Sequence, residues 1–523
     1  MKKDVLCYDS PTHDFPLRRC RKKNHSEDPG KCCYAWAFGG RPLVLESARL
    51  KTVPTLLLGM ALSATAAQED PGRDPFGTER YVPAAPGVRW QSPEALPQVP
   101  PARSASLPVE DRPLSLPELT EFALQNNPQT RQAWYAARAQ AAGVGIEQSD
   151  YLPQITADIL WQRSETGSQT GNQNPWLTRY GPALSLTYLL YDFGERENRV
   201  KAAEYQALAA ALTQNRVLQD VVLLVEQSYY RYLGFDALVR SNELFLKSVL
   251  TSLDATQRRR EGGLATAADV YRAETQVAQA QLNLTRSKGE LDKARGSLAS
   301  AVGLPVNVAL RIQTLEGEPR IREITESLNT ILDRAKANRP DLIAAEAQAR
   351  SARAQAEAAS RSGLPTLSVS ATTGRTSYRG DKPFTDTNSV LLNLSIPIFT
   401  GYNHTYTVRQ AEARAAAAEA SRDALVRQAE LEVWQSYYDV QTAADGVTTT
   451  AVQLRAARQT AEATLARYQS GFGSLLDLIT AQVDESNARV QRIQSFLDWF
   501  TAVARLNYAI GASDAGPYAE RVK

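Results

Sequence analysis

Two long stretches of this chain repeat one another. Asn127-Pro128-Gln129 matches Arg339-Pro340-Asp341, and Leu152-Pro153 matches Leu364-Pro365, both 212 positions apart. Farther along the offset is 208: Ala203-Glu204 with Ala411-Glu412, Gln227-Ser228-Tyr229-Tyr230 with Gln435-Ser436-Tyr437-Tyr438, Gly263 with Gly471, Asp269 with Asp477, and Ala301-Val302-Gly303 with Ala509-Ile510-Gly511. The change of four falls between Pro153 and Ala203, where a loop has altered its length without disturbing either flank. Two structurally equivalent halves are expected, 114–304 and 340–512, with 305–339 as a connecting segment.

Each half has the same plan. A helix comes first, over about Leu116 to Ser149 and about Pro340 to Ser362, followed by two alternating segments around a polar, Gly-containing loop. Ile155, Ala157, Ile159 and Trp161 alternate with Thr156, Asp158, Leu160 and Gln162, then Leu184, Leu186, Tyr188 and Leu190 with Ser185, Thr187, Leu189 and Tyr191. In the second half Leu367, Val369 and Ala371 alternate with Thr366, Ser368 and Ser370, and Val390 to Ile398 continue the period. Period-2 strands of about ten residues are the length a tilted membrane strand needs.

A very long helix follows each hairpin, since no proline occurs between Pro182 and Pro305 or between Pro397 and Pro517. From Glu195 to Glu261 it would be about 100 Å long at ~1.5 Å per residue. A seven-residue seam runs through it: Leu218, Val225, Tyr232, Val239, Leu246, Leu253; its copy reads Val426, Val433, Val440, Val447, Leu454, Ala461. Heptads held this long predict coiled-coil packing. Gly262-Gly263 and Gly471-Phe472-Gly473 then break the helices, which restart near Thr266 and Ser474. Four strands with one apolar face cannot close a barrel, and hydrocarbon does not tolerate an open edge. Self-association with rotational symmetry is the simplest way to close the ring.

The balance of 59 Lys+Arg against 57 Asp+Glu excludes the basic surplus of a nucleic-acid binder. Arg49 and Lys51, the apolar run Val53 to Leu62 and the small residues Ala64-Thr65-Ala66 form a secretory signal over 49–67. Residues 1–48 read as an extension ahead of a true start near Val44 to Leu50. They hold all four cysteines (Cys7, Cys20, Cys32, Cys33), without paired metal-site spacing. Beyond the signal a single histidine, His404, remains, so thiol and His-based chemistry vanish with cleavage. No catalytic residue, cofactor or metal site is expected. Residues 68–113 are a Pro-rich linker and 513–523 a tail.

These features resemble the TolC family of outer-membrane efflux and type I secretion ducts. The resemblance rests on the paired halves, on Tyr191-Asp192-Phe193-Gly194 and Phe399-Thr400-Gly401 after the second strands, and on the tips. The tips read Arg259-x-x-x-Gly263-x-x-Thr266-x-x-Asp269 and Arg467-x-x-x-Gly471-x-x-Ser474-x-x-Asp477. It implies a mainly α chain with a β-barrel portion: long helical hairpins form an α-barrel, and four strands per chain enter a twelve-stranded barrel of a homotrimer. It implies a passive duct, bathed in outer-membrane lipid, whose tips meet a periplasmic adaptor and an inner-membrane pump or ABC exporter.

The resemblance places Asp477 at the periplasmic aperture, with Asp269 and Tyr468 in a contact that holds the closed state. Thr480 and Gly473 stand where the family pattern has a second acid and a basic tip residue, so a two-layer acidic gate is not implied. The alternative for both aspartates is capping of a first helical turn, favoured for Asp269. Gly263, Leu264, Thr266, Gly471, Phe472 and Ser474 are adaptor-contact candidates or plain turn chemistry. Trp161, Tyr188, Tyr191 and Phe399 fall near strand ends, as a girdle or as strand packing. The Tyr-Tyr pairs are read as interhelical packing, Glu147 and Asp150 as a solvated helix end. A soluble periplasmic coiled-coil scaffold or adaptor would explain the helices but not the four alternating segments; a carboxylate hydrolase would need convergent acids that the spacing does not offer. Edman sequencing of the exported protein is expected to start just after Ala66; a mature chain starting at Lys2 would refute the signal assignment.

Overall fold

The computed structural model describes residues 112–165, 176–308, 310–313, 321, 326–378 and 385–512. The extension, the signal, the Pro-rich segment up to 111 and the tail lie outside the described residues. In chain order the elements are α1 (Leu116–Asn126), α2 (Pro128–Ser149), β1 (Gln154–Ser164), β2 (Leu177–Tyr191), α3 (Glu195–Glu261), α4 (Ala267–Val302), α5 (Leu328–Asn338), α6 (Pro340–Arg361), β3 (Thr366–Tyr378), β4 (Thr385–Ser395), α7 (Asn403–Gln469) and α8 (Leu475–Ala509).

The helix expected over Leu116 to Ser149 is two helices. Asn127 is extended, with φ −64° and ψ 132°, because the residue before a proline is driven out of the α region. Pro128 then opens α2, where its missing N–H is not needed, and Asn127 Oδ1 accepts from Gln129 N–H at 2.8 Å. The segment 305–339 contains a helix the sequence reading lacks, α5, capped by Ser327. The strands differ in extent too. β2 begins at Leu177, well before Leu184, and β3 runs on to Tyr378, while β4 stops at Ser395, leaving Ile396 and Ile398 outside. Pro397 cannot donate to a ladder, which accounts for the early stop.

α3 and α7 are 67 residues each. α3 packs along α4, α8, α6 and α2, and α7 along α8 and α6. On α7 the seam Val433, Val440, Val447, Ala461 is buried and continues one heptad further to Tyr468. The returning helices carry a seam of their own, made of small residues. Ala273, Ala280, Ser287, Ala294 and Ala301 are buried on α4, and Ala481, Ala488, Ser495, Ala502 and Ala509, each 208 positions later, on α8. Small side chains let paired helices approach closely, so each hairpin is a narrow two-stranded coil. One 18-residue window of α3 is apolar enough by length and composition to cross a bilayer. Arg216 and Asp220 interrupt the apolar residues of α3 between Leu208 and Val225, so no uninterrupted apolar run marks the window in the sequence.

Two cores sit where the halves turn back. Leu119, Val221, Val225, Leu298 and Val302 form one, Ile331, Val433, Trp499, Leu506 and Ile510 the other. Each is closed by a glycine after the returning helix, Gly303 (φ +86°) and Gly511 (φ +74°), pressed on the backbone before α2 or α6. Asn127 Nδ2 donates to Ala301 O at 2.9 Å, and in the matching place the buried Arg339 reaches Ala509 O at 3.3 Å while pairing with Asp341 and Glu432. A Cβ on Gly511 would lie 2.9 Å from the Asn338 carbonyl carbon, whereas one on Gly471 (φ +87°) would meet nothing within 4 Å. Both alanine variants incur about 1–2 kcal/mol for the left-handed backbone, and Gly511→Ala adds about 1–3 kcal/mol of overpacking. Thermal unfolding is therefore expected to show the larger loss for Gly511→Ala.

Candidate functional site

Two regions of the chain carry chemistry that a coiled coil alone does not need: the sheet at one end of the long helices and the hairpin tips at the other. The sheet has the order β1-β2-β3-β4, all antiparallel, so β1 and β4 are its edges. Its register sorts side chains by face. Ile155 opposes Leu186, Ala157 opposes Leu184 and Trp161 opposes Tyr180; Leu186 opposes Ala371 and Tyr188 opposes Val369; Val369 opposes Leu392 and Leu367 opposes Leu394. All of these share one face. The other face is mostly polar, with Thr156, Asp158 and Gln162 of β1, Arg179, Ser185 and Thr187 of β2, Ser368, Ser370 and Thr372 of β3, and Ser389 and Asn393 of β4, interrupted by Leu160, Leu189 and Leu391. Hydrogen bonds cross the polar face from Thr156 to Ser185 (2.6 Å) and from Arg179 Nε to Gln162 (2.7 Å). The apolar face stands open, with Ile159 89% and Val390 79% exposed. From Ile155 to Trp161 it covers about 20 Å of strand at ~3.3 Å per residue.

The four aromatic candidates flank this band. Trp161, opposite Tyr180, lies at the loop end. Tyr188, Tyr191 and Phe399 lie at the helix end, joined by Phe193 against Tyr191 (4.7 Å) and Tyr402 against Phe399 (5.6 Å). Tyr180, Phe193 and Tyr402 are members the sequence reading missed; Tyr180 was readable from the pairing of a strand begun at Leu177. At this junction the buried Arg196 pairs with Asp192 at 3.0 Å and donates to the carbonyls of Asp150 and Leu189. Glu147 and Asp150 both bind Arg199. His404, 208 positions after Arg196, packs against Gly363. Tyr230 stacks on Phe500 at 4.5 Å, an interhelical packing role.

Both tips end their long helix in the same motif. Leu264 N–H donates to Arg259 O at 2.7 Å and Gly263 N–H to Arg260 O at 2.9 Å; Phe472 N–H donates to Arg467 O at 3.0 Å and Gly471 N–H to Tyr468 O at 3.2 Å. Gly263 and Gly471 hold the left-handed position this motif requires. Leu264 and Phe472 project into solvent. The caps that follow differ. Thr266 and Asp269 form a reciprocal capping box, with Asp269 Oδ2 accepting from Thr266 Oγ1 (2.7 Å) and N–H (3.0 Å). The Thr266 hydroxyl, and after it the Thr266 N–H, hold the Asp269 carboxyl below its usual range. Ser474 Oγ accepts from Asp477 N–H at 3.1 Å, but the Asp477 carboxylate has no hydrogen-bond or ion-pair partner among the described residues. Thr480 is exposed and bonds back to Leu476 O.

Tyr468 is not brought to Asp269. It is 4% exposed, its hydroxyl 2.9 Å from Thr256 Oγ1, and Arg259 donates to its carbonyl at 2.6 Å while covering its ring at 4.6 Å. Beside it, Gln482 Nε2 donates to Ser248 (2.9 Å) and Ser252 (3.0 Å), a polar tie between α3 and α8 that no sequence signal marks. Among the described residues no group of three or more His, Cys, Asp or Glu could hold a metal ion. Tyr468→Ala removes a buried ring and its hydrogen bond, a loss of about 3–5 kcal/mol by analogy with large-to-alanine core changes. Hydrogen exchange over 465–480 is expected to accelerate strongly, and only slightly in Tyr468→Phe.

Comparison with known proteins bears on both regions. The sequence model described as Outer membrane efflux protein matches residues 119–304 and 331–512. Protein CyaE of Bordetella pertussis is 28% identical over 430 residues, 78% of this chain and 84% of its own length. Outer membrane protein OprJ of Pseudomonas aeruginosa is 28% identical over 383 residues, 70% of this chain and 78% of its own. Among solved structures the outer-membrane channel OprN superposes with a TM-score of 0.70 at 21% identity, covering 76% of this chain and 89% of that one.

Proposed function

The chain belongs to the outer membrane efflux protein family, and on that premise we propose that three copies close one twelve-stranded barrel in the outer membrane above a shared helical tunnel. It is an outer-membrane exit duct with a large periplasmic helical portion, a passive channel and not an enzyme. The scaffold reading is set aside by the family match. The two halves are two copies of one unit, each supplying a strand hairpin and a helical hairpin.

The observation that carries the trimer is the sheet: one apolar face, one polar face and two unpaired edges. β4 runs antiparallel to β1, so β4 of one copy can continue the ladder of the next without a change of pattern. Two copies would give about eight strands, a barrel filled by its own side chains; three give about twelve, the smallest multiple of four that leaves a lumen. The apolar face then meets lipid and the polar face water. Trp161, Tyr188, Tyr191 and Phe399 form the girdles, where aromatic rings sit at headgroup depth.

At the far end the tips gather around the aperture. The uncommitted Asp477 carboxylates line it, one from each copy, favouring cations, with Thr480 one turn deeper. Asp269 serves its own helix, and Tyr468 holds the tip closed through Thr256 and Arg259. Gly263, Leu264, Thr266, Gly471, Phe472 and Ser474 offer an apolar, turn-shaped surface to a periplasmic adaptor coupled to an inner-membrane pump or exporter. Exposed Leu264 and Phe472 support this, since a hairpin turn alone needs no bulky side chain there.

Disulfide trapping tests the ring. Thr156→Cys in β1 combined in turn with Ser389→Cys, Leu391→Cys or Asn393→Cys in β4 samples the edge-to-edge registers. One pair is expected to yield a covalent trimer on non-reducing gels. A full series giving only monomers and dimers overturns the proposed closure.

A further inference from the structure

A shallow groove of about 390 Å³ crosses the apolar face of the sheet, within the ~300–1,000 Å³ of small-molecule sites. Ile155, Leu184, Leu186 and Val390 flank it, and the small Ala371 lies between Leu186 and Val390 in the pairing. Thr373 and Asn388 close its end toward the strand loop. Thr372 and Ser389 border it as well, though alternation directs their side chains to the polar face. The next pair on the apolar face of β3 and β4 is Arg375 with Asp386, Nε to Oδ1 at 2.7 Å, both side chains exposed. Along these two strands the face passes from a hydrocarbon notch to an amide and a hydroxyl, then to an ion pair, in steps of about 6–7 Å.

The first hairpin is built otherwise. With the offset at 212 before the hairpin loop and 208 after it, Ile159, Trp161 and Tyr180 stand where the second hairpin has Ala371, Thr373 and Asn388. Large side chains suffice on a lipid-facing strand, so the fold requires neither the hollow nor its polar end. Among the described residues these polar groups are only partly engaged. Asn388 Oδ1 accepts from Thr373 Oγ1 at 2.7 Å, which leaves Nδ2 without an acceptor. Arg375 uses only Nε, and Asp386 only Oδ1. Charge on a lipid-facing strand is costly at the bilayer midplane and tolerated near the interface, which sets this end of the groove at headgroup depth.

We propose that this groove is a binding site for one zwitterionic phospholipid. The order of groups along the strands is the order along such a lipid. An acyl chain lies over Ala371, and an ester carbonyl accepts from Asn388 Nδ2. The phosphate accepts from the terminal nitrogens of Arg375, and the ammonium donates to Asp386 Oδ2. A guanidinium fork matches a phosphate. The carboxylate beside it disfavours a purely anionic headgroup, and an uncharged headgroup answers neither charge. The whole site lies within one chain. It rests on the reading of this face as lipid-facing, and not on closure of the ring by three copies.

Native mass spectrometry tests this on the purified full-length assembly, delipidated and then titrated with dipalmitoyl phosphatidylethanolamine, dipalmitoyl phosphatidylglycerol or dipalmitoylglycerol. The ethanolamine lipid is expected to bind saturably, one per chain, about tenfold more tightly than either competitor, the effect of one charge-assisted contact. Ala371→Leu fills the notch and should weaken retention of all three lipids. Arg375→Gln combined with Asp386→Asn removes both charges together and should abolish the preference for the ethanolamine lipid while acyl-dependent binding remains. Equal binding of the three lipids, a preference for phosphatidylglycerol, or unchanged binding in Ala371→Leu overturns the proposal. Should Ala371→Leu not assemble, the double variant decides: a preference lost there supports the site, and a preference kept refutes it. Assemblies that carry lipid without discrimination refute this site alone. A chain that stays soluble and lipid-free without detergent refutes the lipid-facing reading itself.

Discussion

An unpaired strand edge inside hydrocarbon has nowhere to send its N–H and C=O groups, and each orphan costs several kcal/mol. β1 and β4 present such edges on a sheet whose one face is apolar. That constraint reaches down the whole molecule. If the edges are closed by copies of the same chain, the helices hanging below each sheet are brought into a ring as well. In the proposed ring their lateral faces become interfaces, to which the exposed Leu208, Leu224, Leu244, Leu431 and Val452 of α3 and α7 are available.

The long helices are held by a division of labour. The outgoing ones bury Val225 and Val239 on α3 and Val433, Val440, Val447 and Tyr468 on α7, and the returning ones, α4 and α8, bury a line of small residues at heptad spacing among their larger ones. Large against small keeps the two strands of each hairpin close and leaves length to be set by the number of heptads. At the far ends of α4 and α8 the chain must cross back beneath the first helix. Gly303 and Gly511 make that crossing by combining a left-handed backbone with the absence of a side chain. Asn127 and Arg339 then satisfy the last carbonyls of the returning helices.

Much of this was readable in the sequence because it is periodic. The heptads, the alternation and the 208-residue offset placed α3 from about Glu195 to about Glu261 and the restarts of α4 and α8 near Thr266 and Ser474, and glycine marked both tip turns. What escaped was aperiodic. α5 is amphipathic but only 11 residues long, too short to stand out from a connecting segment. β2 extends through Gly181 and Pro182, residues that argue against a strand; its pairing with β3 passes over both, which is how the strand tolerates them. The burial of Tyr468 was available, since it lies one heptad beyond Ala461, but its partners were not. Thr256 and Arg259 are brought to it by the pitch of two coiled helices and by no local pattern.

The tips show how one motif, copied, comes to do two things. Thr266 and Ser474 both cap the returning helix, and both are followed by an aspartate in the third position. In the first tip the carboxylate turns back on the cap, which holds it ionised, and its other oxygen faces Arg272 at 3.5 Å. In the second, Gly473 N–H is bonded to Arg467 O, tightening the chain just before Ser474, and the Asp477 carboxylate makes no return bond. A charge not engaged locally exerts its field on whatever passes. The same sequence element therefore acts as a helix staple in one half and, in the proposed ring, as the charged lining of the aperture in the other.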